Sequence, residues 1–167
     1  VFTMLANNET GIQYDIKDIV ARAHKAGAKV HTDAVQAVGK IPVDVRDLGI
    51  DSLSLSAHKF HGPKGIGVLY VRNPEDFVSF IHGGDQERGR RAGTENVPGI
   101  VGLGKAAALA LNDLNEARPH MRRLRDRLEA GLRDLLADSI QITGDGQPRL
   151  PNTTHLRLPG VDGDLLT

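Results

Sequence analysis

Apolar positions recur along this chain at two periods, and the switches between them mark out its elements. Val1 to Leu5 is a short apolar run followed by Asn7, Asn8 and Gly11, which predicts a buried strand opening into a polar loop. Ile16, Ile19, Val20 and Ala23 then repeat at helical spacing, with Asp15 placed to cap the helix and Gly27 to stop it. Ala28 to Thr32 is strand-like, and Asp33 stands where that strand hands over to a short helix expected over Ala34 to Val38. From Asp51 to Ser56, Leu53 and Leu55 alternate with serines, a strand pattern that ends at Ala57-His58-Lys59 and the turn Gly62-Pro63-Lys64-Gly65. Ile66 to Val71 is the next strand. Alternating strands and helices predict an α/β sheet, in which ligands gather at the carboxyl ends of strands. Asn8, Asp33 and Lys59 all fall at such ends.

The second half is patterned differently. Ile81 to Gly93 holds four glycines and four arginine or glutamate residues, too polar for a core element, and predicts an ordered loop. Val97 to Ala117 is rich in alanine and leucine and predicts a helix. Pro119 is expected to break it before a second helix, whose stripe of Met121, Leu124, Leu128, Leu132 and Leu135 is expected to pack. Gly144 to Pro151 predicts a turn-rich loop, and Thr153 to Leu158 a strand of a second, smaller domain. Val1 starts inside an expected strand and Leu165-Leu166 closes on an apolar pair, so the sequence reads as an internal piece of a longer chain.

Composition narrows the function classes. With 167 residues, 40% hydrophobic and 25% charged, the chain suits a globular fold. Its 21 basic and 21 acidic residues cancel, which removes any general electrostatic drive toward nucleic acid or an anionic membrane and favours small soluble substrates. No cysteine is present, so disulfides, thiolate metal sites and a cysteine nucleophile are excluded within these residues. No apolar run is expected to span a bilayer, and a cytoplasmic setting is the default expectation.

Lys59 lies in Ser56-Ala57-His58-Lys59, among small and hydrogen-bonding residues rather than acidic ones. A lysine in a loop is ordinarily a solvated surface charge, but one held without a counter-ion in a partly dry pocket becomes an amine nucleophile toward carbonyls. Asp33 is ordinarily read as a helix N-cap, and alternatively as a carboxylate that keeps a cofactor pyridinium nitrogen protonated. Gln36 and Asn8 are placed to donate to a ring oxygen or to serve as plain cap and loop residues. Ser56 and His58 flank the lysine as candidate phosphate donors. His58 and His61 form a His-x-x-His pair without acidic or further histidine ligands nearby, and no metal is expected. Gly62-Pro63-Lys64-Gly65-Ile66-Gly67 fits neither nucleotide-binding glycine pattern.

Taken in order, Ala6-Asn7-Asn8-Glu9, His31-Thr32-Asp33-Ala34-Val35-Gln36, Ser54-Leu55-Ser56-Ala57-His58-Lys59, Gly62-Pro63-Lys64-Gly65, His82-Gly83-Gly84, Gln86-Glu87-Arg88 and Gly93-Thr94-Glu95-Asn96 resemble the successive motifs of the cysteine desulfurases. These belong to the class V aminotransferase group of fold type I pyridoxal-phosphate (PLP) enzymes. The resemblance implies part of the large PLP-binding α/β domain at residues 1–105, followed by linking helices and the start of a small C-terminal α+β domain at 106–167. It implies a homodimer that takes sulfur from L-cysteine, releases L-alanine and passes a persulfide to a sulfur-acceptor or iron-sulfur scaffold protein. Lys59 matches the catalytic Schiff-base lysine and Asp33 the pyridinium partner. Asn8 and Gln36 match positions near the substrate and ring oxygen, Ser56 and His58 match phosphate donors, and Thr94 matches a residue that reaches the neighbouring subunit's cofactor phosphate. The catalytic cysteine is expected outside these residues, leaving the piece inactive alone, and Asp85 and Ala92 stand where glycine and serine are expected. A related selenocysteine lyase or aminotransferase, or an inactive interaction fragment using the leucine stripe, are the competing expectations.

Overall fold

A computed structural model describes residues 1–161 and Gly163; the Leu165-Leu166 pair lies outside them. Four strands form one sheet in sequential order: β1 (Phe2–Met4), β2 (His31–Asp33), β3 (Ser52–Ser56) and β4 (Gly67–Val71). The first three are parallel, with Met4 opposite Asp33 and Asp33 opposite Ser54, so the carboxyl ends of these strands line up along one edge. β4 returns antiparallel, pairing Ser56 with Gly67, because the turn around Gly62-Pro63-Lys64-Gly65 is too short for a parallel crossover.

Strand alternation divides the sheet into an apolar and a polar face. Thr32 and Leu53 are buried on one side, where α1 (Ile16–Lys25) contributes Ile16, Val20 and Ala23 to a core shared with Leu5, Val30, Ile50 and Leu150. The predicted cap is present, since the Asp15 side chain accepts from the Asp18 amide, an arrangement worth about 1 kcal/mol. His31, Asp33, Ser52 and Ser54 occupy the other face and are half-buried.

Three expectations are corrected. Residues 34–38 form turns rather than a helix. The Asp33 carboxylate bonds the Val35 amide at 2.8 Å and Gly39 adopts a left-handed φ of 77°, so no helical ladder propagates. Pro119 breaks nothing. A single helix, α4, runs from Val97 to Leu136, following the one-turn helix α2 (Val45–Leu48) and a turn within the predicted loop, α3 (Gln86–Gly89), where Glu87 and Arg88 adopt positive φ and no regular helix forms. The donor that Pro119 lacks would have met the carbonyl of Asn115, a residue exposed to solvent, so water can satisfy that oxygen. The leucine stripe packs only in part among the described residues: Met121 and Leu132 are half-buried, but Leu124, Leu128 and Leu135 are exposed, Leu135 at 82%. Arg125 and Glu129 occupy the inward face instead.

By length and composition alone α4 passes for a membrane-crossing helix, contrary to expectation. Its small residues serve for close packing. Ala106 is buried against Ala57 and Phe60, and a Cβ on Gly102 would come within 2.5 Å of Pro63. A second, two-stranded antiparallel sheet joins β5 (Gln141–Ile142), not anticipated from sequence, to β6 (Leu156–Arg157), shorter than the strand expected there.

Candidate active site

The parallel edge of the sheet gathers most of the residues singled out by sequence. Asp33 is the last residue of β2. One of its carboxylate oxygens, Oδ1, holds the following turn through Val35, and among the described residues no donor reaches Oδ2. Both readings of Asp33 are therefore compatible in one side chain, as local cap and as acceptor for an outside cation. Below it on the same face His31 stacks on Phe2 with ring centroids 4.4 Å apart. The two imidazole nitrogens of His31 meet Ser52 Oγ at 2.8 Å and Ser54 Oγ at 3.2 Å. Burial pushes the imidazole pKa down while the Asp33 charge opposes the shift, and the net direction is downward. A neutral ring is favoured. This ladder was not singled out as functional; the alternating serines of β3 were its visible signal.

Lys59 is presented by a 3-10 turn, Ala57 to Phe60, that leaves β3. Ala57 and Phe60 are buried against α4 while His58 and Lys59 between them are exposed, so the turn is anchored at both ends with its chemistry facing out. Ser56 Oγ and His58 Nδ1 lie 2.8 Å apart, pairing the two candidate phosphate donors beside the lysine. Gln36, in the turn after β2, accepts from Lys40 Nζ at 3.2 Å. Burial, and secondarily the charge of Lys59, lower the pKa of Lys40, and the Gln36 turn meets the Lys59 turn at Gly39, where a Cβ would lie 2.9 Å from that of Phe60.

Asn8 is exposed in the turn after β1, and that turn is held by its neighbour. Asn7 Oδ1 accepts from the amides of Glu9 and Thr10 at 3.0 and 2.9 Å and from Thr10 Oγ1 at 3.1 Å. The loop is tied down at its far end, where Gln13 bonds the carbonyls of Pro148 and Arg149, and Leu150 bonds that of Gly11. Arg149 in turn makes a bidentate pair with Glu129 of α4 at 2.7 and 3.0 Å. Burial alone would raise the Glu129 carboxyl, but the Arg149 hydrogen bonds and the charges of Arg149 and Arg125 hold it below the usual carboxylate range.

Thr94 is not brought to this group. It lines a separate cavity of about 610 Å³ between β4 and the loop running from Phe77 to Asn96, together with Glu87, Arg90 and Arg91. None of Asn8, Asp33, Gln36, Ser56, His58 or Lys59 reaches that cavity.

The family model for the class V aminotransferases matches residues 1–167. The chain belongs to the class V aminotransferase family. Among its curated relatives, the cysteine desulfurase of Gluconacetobacter diazotrophicus is 54% identical over 98% of this chain, which spans 40% of that protein's length. A NifS-like protein from Rickettsia africae superposes with a TM-score of 0.94 at 36% identity, over 99% of this chain and 45% of that one. The structure of SspA in complex with cysteine is 49% identical with a TM-score of 0.61, over 64% of this chain and 31% of its own. The α/β architecture expected of a fold type I PLP domain is thereby shown.

The family implies PLP, and the donor set of this class V aminotransferase chain fits it. A carboxylate with one oxygen unengaged suits a protonated ring nitrogen, an exposed primary amine suits an aldehyde, and a paired hydroxyl and imidazole suit a phosphate.

Proposed function

We propose that the full-length protein to which this chain belongs is a PLP-dependent cysteine desulfurase, converting L-cysteine to L-alanine and a protein-bound persulfide. The observation that carries the reading is the placement of Asp33, Gln36 and Lys59 on adjoining turns at one sheet edge, in a chain 54% identical to a curated cysteine desulfurase. The complex that one structural relative, SspA, forms with cysteine supports the substrate.

In this reading PLP, when bound, supplies an electron sink for the carbon that bears the substrate amine. Asp33 Oδ2 would hold the pyridinium proton. The Gln36 amide and Asn8 would donate to the ring oxygen and the substrate region, and Ser56 and His58 to the phosphate. Lys59 would anchor the aldehyde carbon covalently and afterwards carry a proton at its released amine. The thiol that accepts sulfur must come from elsewhere in the full-length protein, because no cysteine occurs among these residues. On its own the chain would therefore be inactive.

A homodimer is part of the same reading, since Thr94 would act on the neighbouring subunit's phosphate. The persulfide would pass to an acceptor or iron-sulfur scaffold protein in the cytoplasm.

The test is Asp33→Asn in the full-length protein. Alanine production from L-cysteine should fall at least ~100-fold while PLP absorbance is largely kept, because the amide cannot hold the pyridinium proton but the covalent anchor at Lys59 survives. Near-normal alanine release would remove Asp33 from the mechanism.

A further inference from the structure

Lys40 was not among the residues singled out by sequence, and its surroundings are unusual for a lysine. It is half-buried, and among the described residues no carboxylate pairs with it; its side chain instead donates to the Gln36 carbonyl oxygen at 3.2 Å. A half-buried ammonium given only a neutral amide loses part of its hydration without gaining a counter-charge.

The contact spans four residues in a run of turns whose amides bond back four places, Val38 to Ala34 and Ile41 to Ala37, without forming a regular helix. It depends on Gly39, whose left-handed φ of 77° bends the chain and whose missing Cβ leaves room for Phe60; a Cβ there would lie 2.9 Å from that of Phe60. The turn that carries Gln36 is thus seated directly on the turn that carries Lys59.

A glutamine amide has one accepting and one donating end of nearly equal size, and only its partners decide which faces where. Lysine can only donate. Bonded to Lys40, Gln36 must turn its oxygen toward the lysine and present its NH₂ on the other side.

We propose that Lys40 is a positioning residue for the PLP site, fixing the Gln36 amide so that its NH₂ is the end offered to the cofactor's ring oxygen. This rests on the functional reading above. Lys40 touches neither cofactor nor substrate, and its effect passes through Gln36. Without it the amide samples both orientations, and the one that turns an oxygen toward the ring oxygen is repulsive.

The test uses full-length protein bearing Lys40→Met, Lys40→Arg, Gln36→Ala and the Lys40→Met/Gln36→Ala double variant. Each apoprotein is titrated with PLP to obtain a dissociation constant, and the pH midpoint of the bound cofactor's visible absorbance band is recorded. Lys40→Met should weaken PLP binding about 5- to 10-fold and displace the band's pH midpoint. Lys40→Arg should restore both, and Lys40→Met should add nothing in the Gln36→Ala background. A thermal midpoint on each apoprotein separates simple misfolding from these effects. Unchanged binding and spectrum in Lys40→Met, or an equal loss with Gln36 absent, would overturn the proposal while leaving the desulfurase reading intact. Failure of the unaltered protein to take up PLP would overturn both.

Discussion

Phe60 and Phe80 stand on either side of β4 in opposite surroundings: Phe60 is 4% exposed and packs against α4, whereas Phe80 is 93% exposed. The contrast extends to the segments they belong to. The turn carrying Lys59 is clamped between two buried side chains and a helix whose glycine admits Pro63, so the backbone position of Lys59 is set by packing. The Ile81 to Gly93 loop has one buried residue, Ala92, and is held by its own polar bonds, chiefly Ser79 Oγ to the Ile81 and Arg90 carbonyls and Gln86 Oε1 to the Gly93 amide. One region fixes its chemistry from within this chain. The other presents Thr94 on a surface whose partner would be a second subunit.

Truncation is the strongest way to break this comparison. Phe60→Ala removes a buried ring and should cost about 3–5 kcal/mol in chemical denaturation of the full-length protein, with loss of PLP uptake. Phe80→Ala, the same change in chemistry, should alter stability by no more than about 0.5 kcal/mol. Similar costs for the two would mean that the loop is packed in the intact protein as firmly as the lysine turn.

Next in size is Thr94→Val. Loss of a hydrogen bond to a charged phosphate is worth about 1.5–3 kcal/mol, so PLP retention in the dimer should weaken roughly 10- to 100-fold. Dilution below the dimer dissociation constant should abolish the difference between variant and unaltered protein. A loss that persists in the monomer would place Thr94 in its own subunit's site and remove the division between the two regions.

Legibility in the sequence followed the range of the interactions. The α1 helix with its Asp15 cap, the strands around Thr32 and Leu53, and the placement of Asp33 and Lys59 at strand ends all rest on neighbours a few residues away, and period and cap chemistry report those directly. The turn at 34–38 was misread because Asp33 and Gly39 jointly redirect a segment whose composition suits a helix. At Pro119 the sequence shows a missing donor but not the solvent around the carbonyl left behind. Lys40 and the Glu129–Arg149 pair could not be seen at all, since no local pattern distinguishes a buried partner from a surface charge. The leucine stripe carries the same lesson in reverse: its period is helical, yet the inward face at that level is the ionic one.

That ionic face yields a smaller, pH-dependent effect. Glu129 is held below its ordinary pKa in the folded chain, so its pairing with Arg149 contributes stability that is fully present above the unfolded carboxyl's range. The contribution declines as pH falls through the lowered folded value. Denaturation midpoints followed from pH 7 into the acid range should therefore drop, bringing down the Asn8 loop that Arg149 and Gln13 tie in place. In Glu129→Gln, starting less stable at pH 7, this part of the acid slope should vanish. The Ile81 to Gly93 loop contains no comparable buried pair among the described residues, and its amide exchange, corrected for the intrinsic rate, should be indifferent to the same titration.

The smallest effect separates the regions most finely. Ser79→Ala deletes one hydroxyl that bridges the two ends of the loop, at a net cost of about 0.5–1.5 kcal/mol. Because few packed side chains connect this loop to the sheet core, the loss should stay local. Amides such as Ala92, which bonds the Ile81 carbonyl at 3.1 Å, should exchange about 2- to 10-fold faster. Amides of β2 and β3 should keep their rates, and the global unfolding midpoint should not move. Faster exchange in those strands would show that the loop and the lysine turn open as one unit, and that the polar bonds of the former help hold the latter.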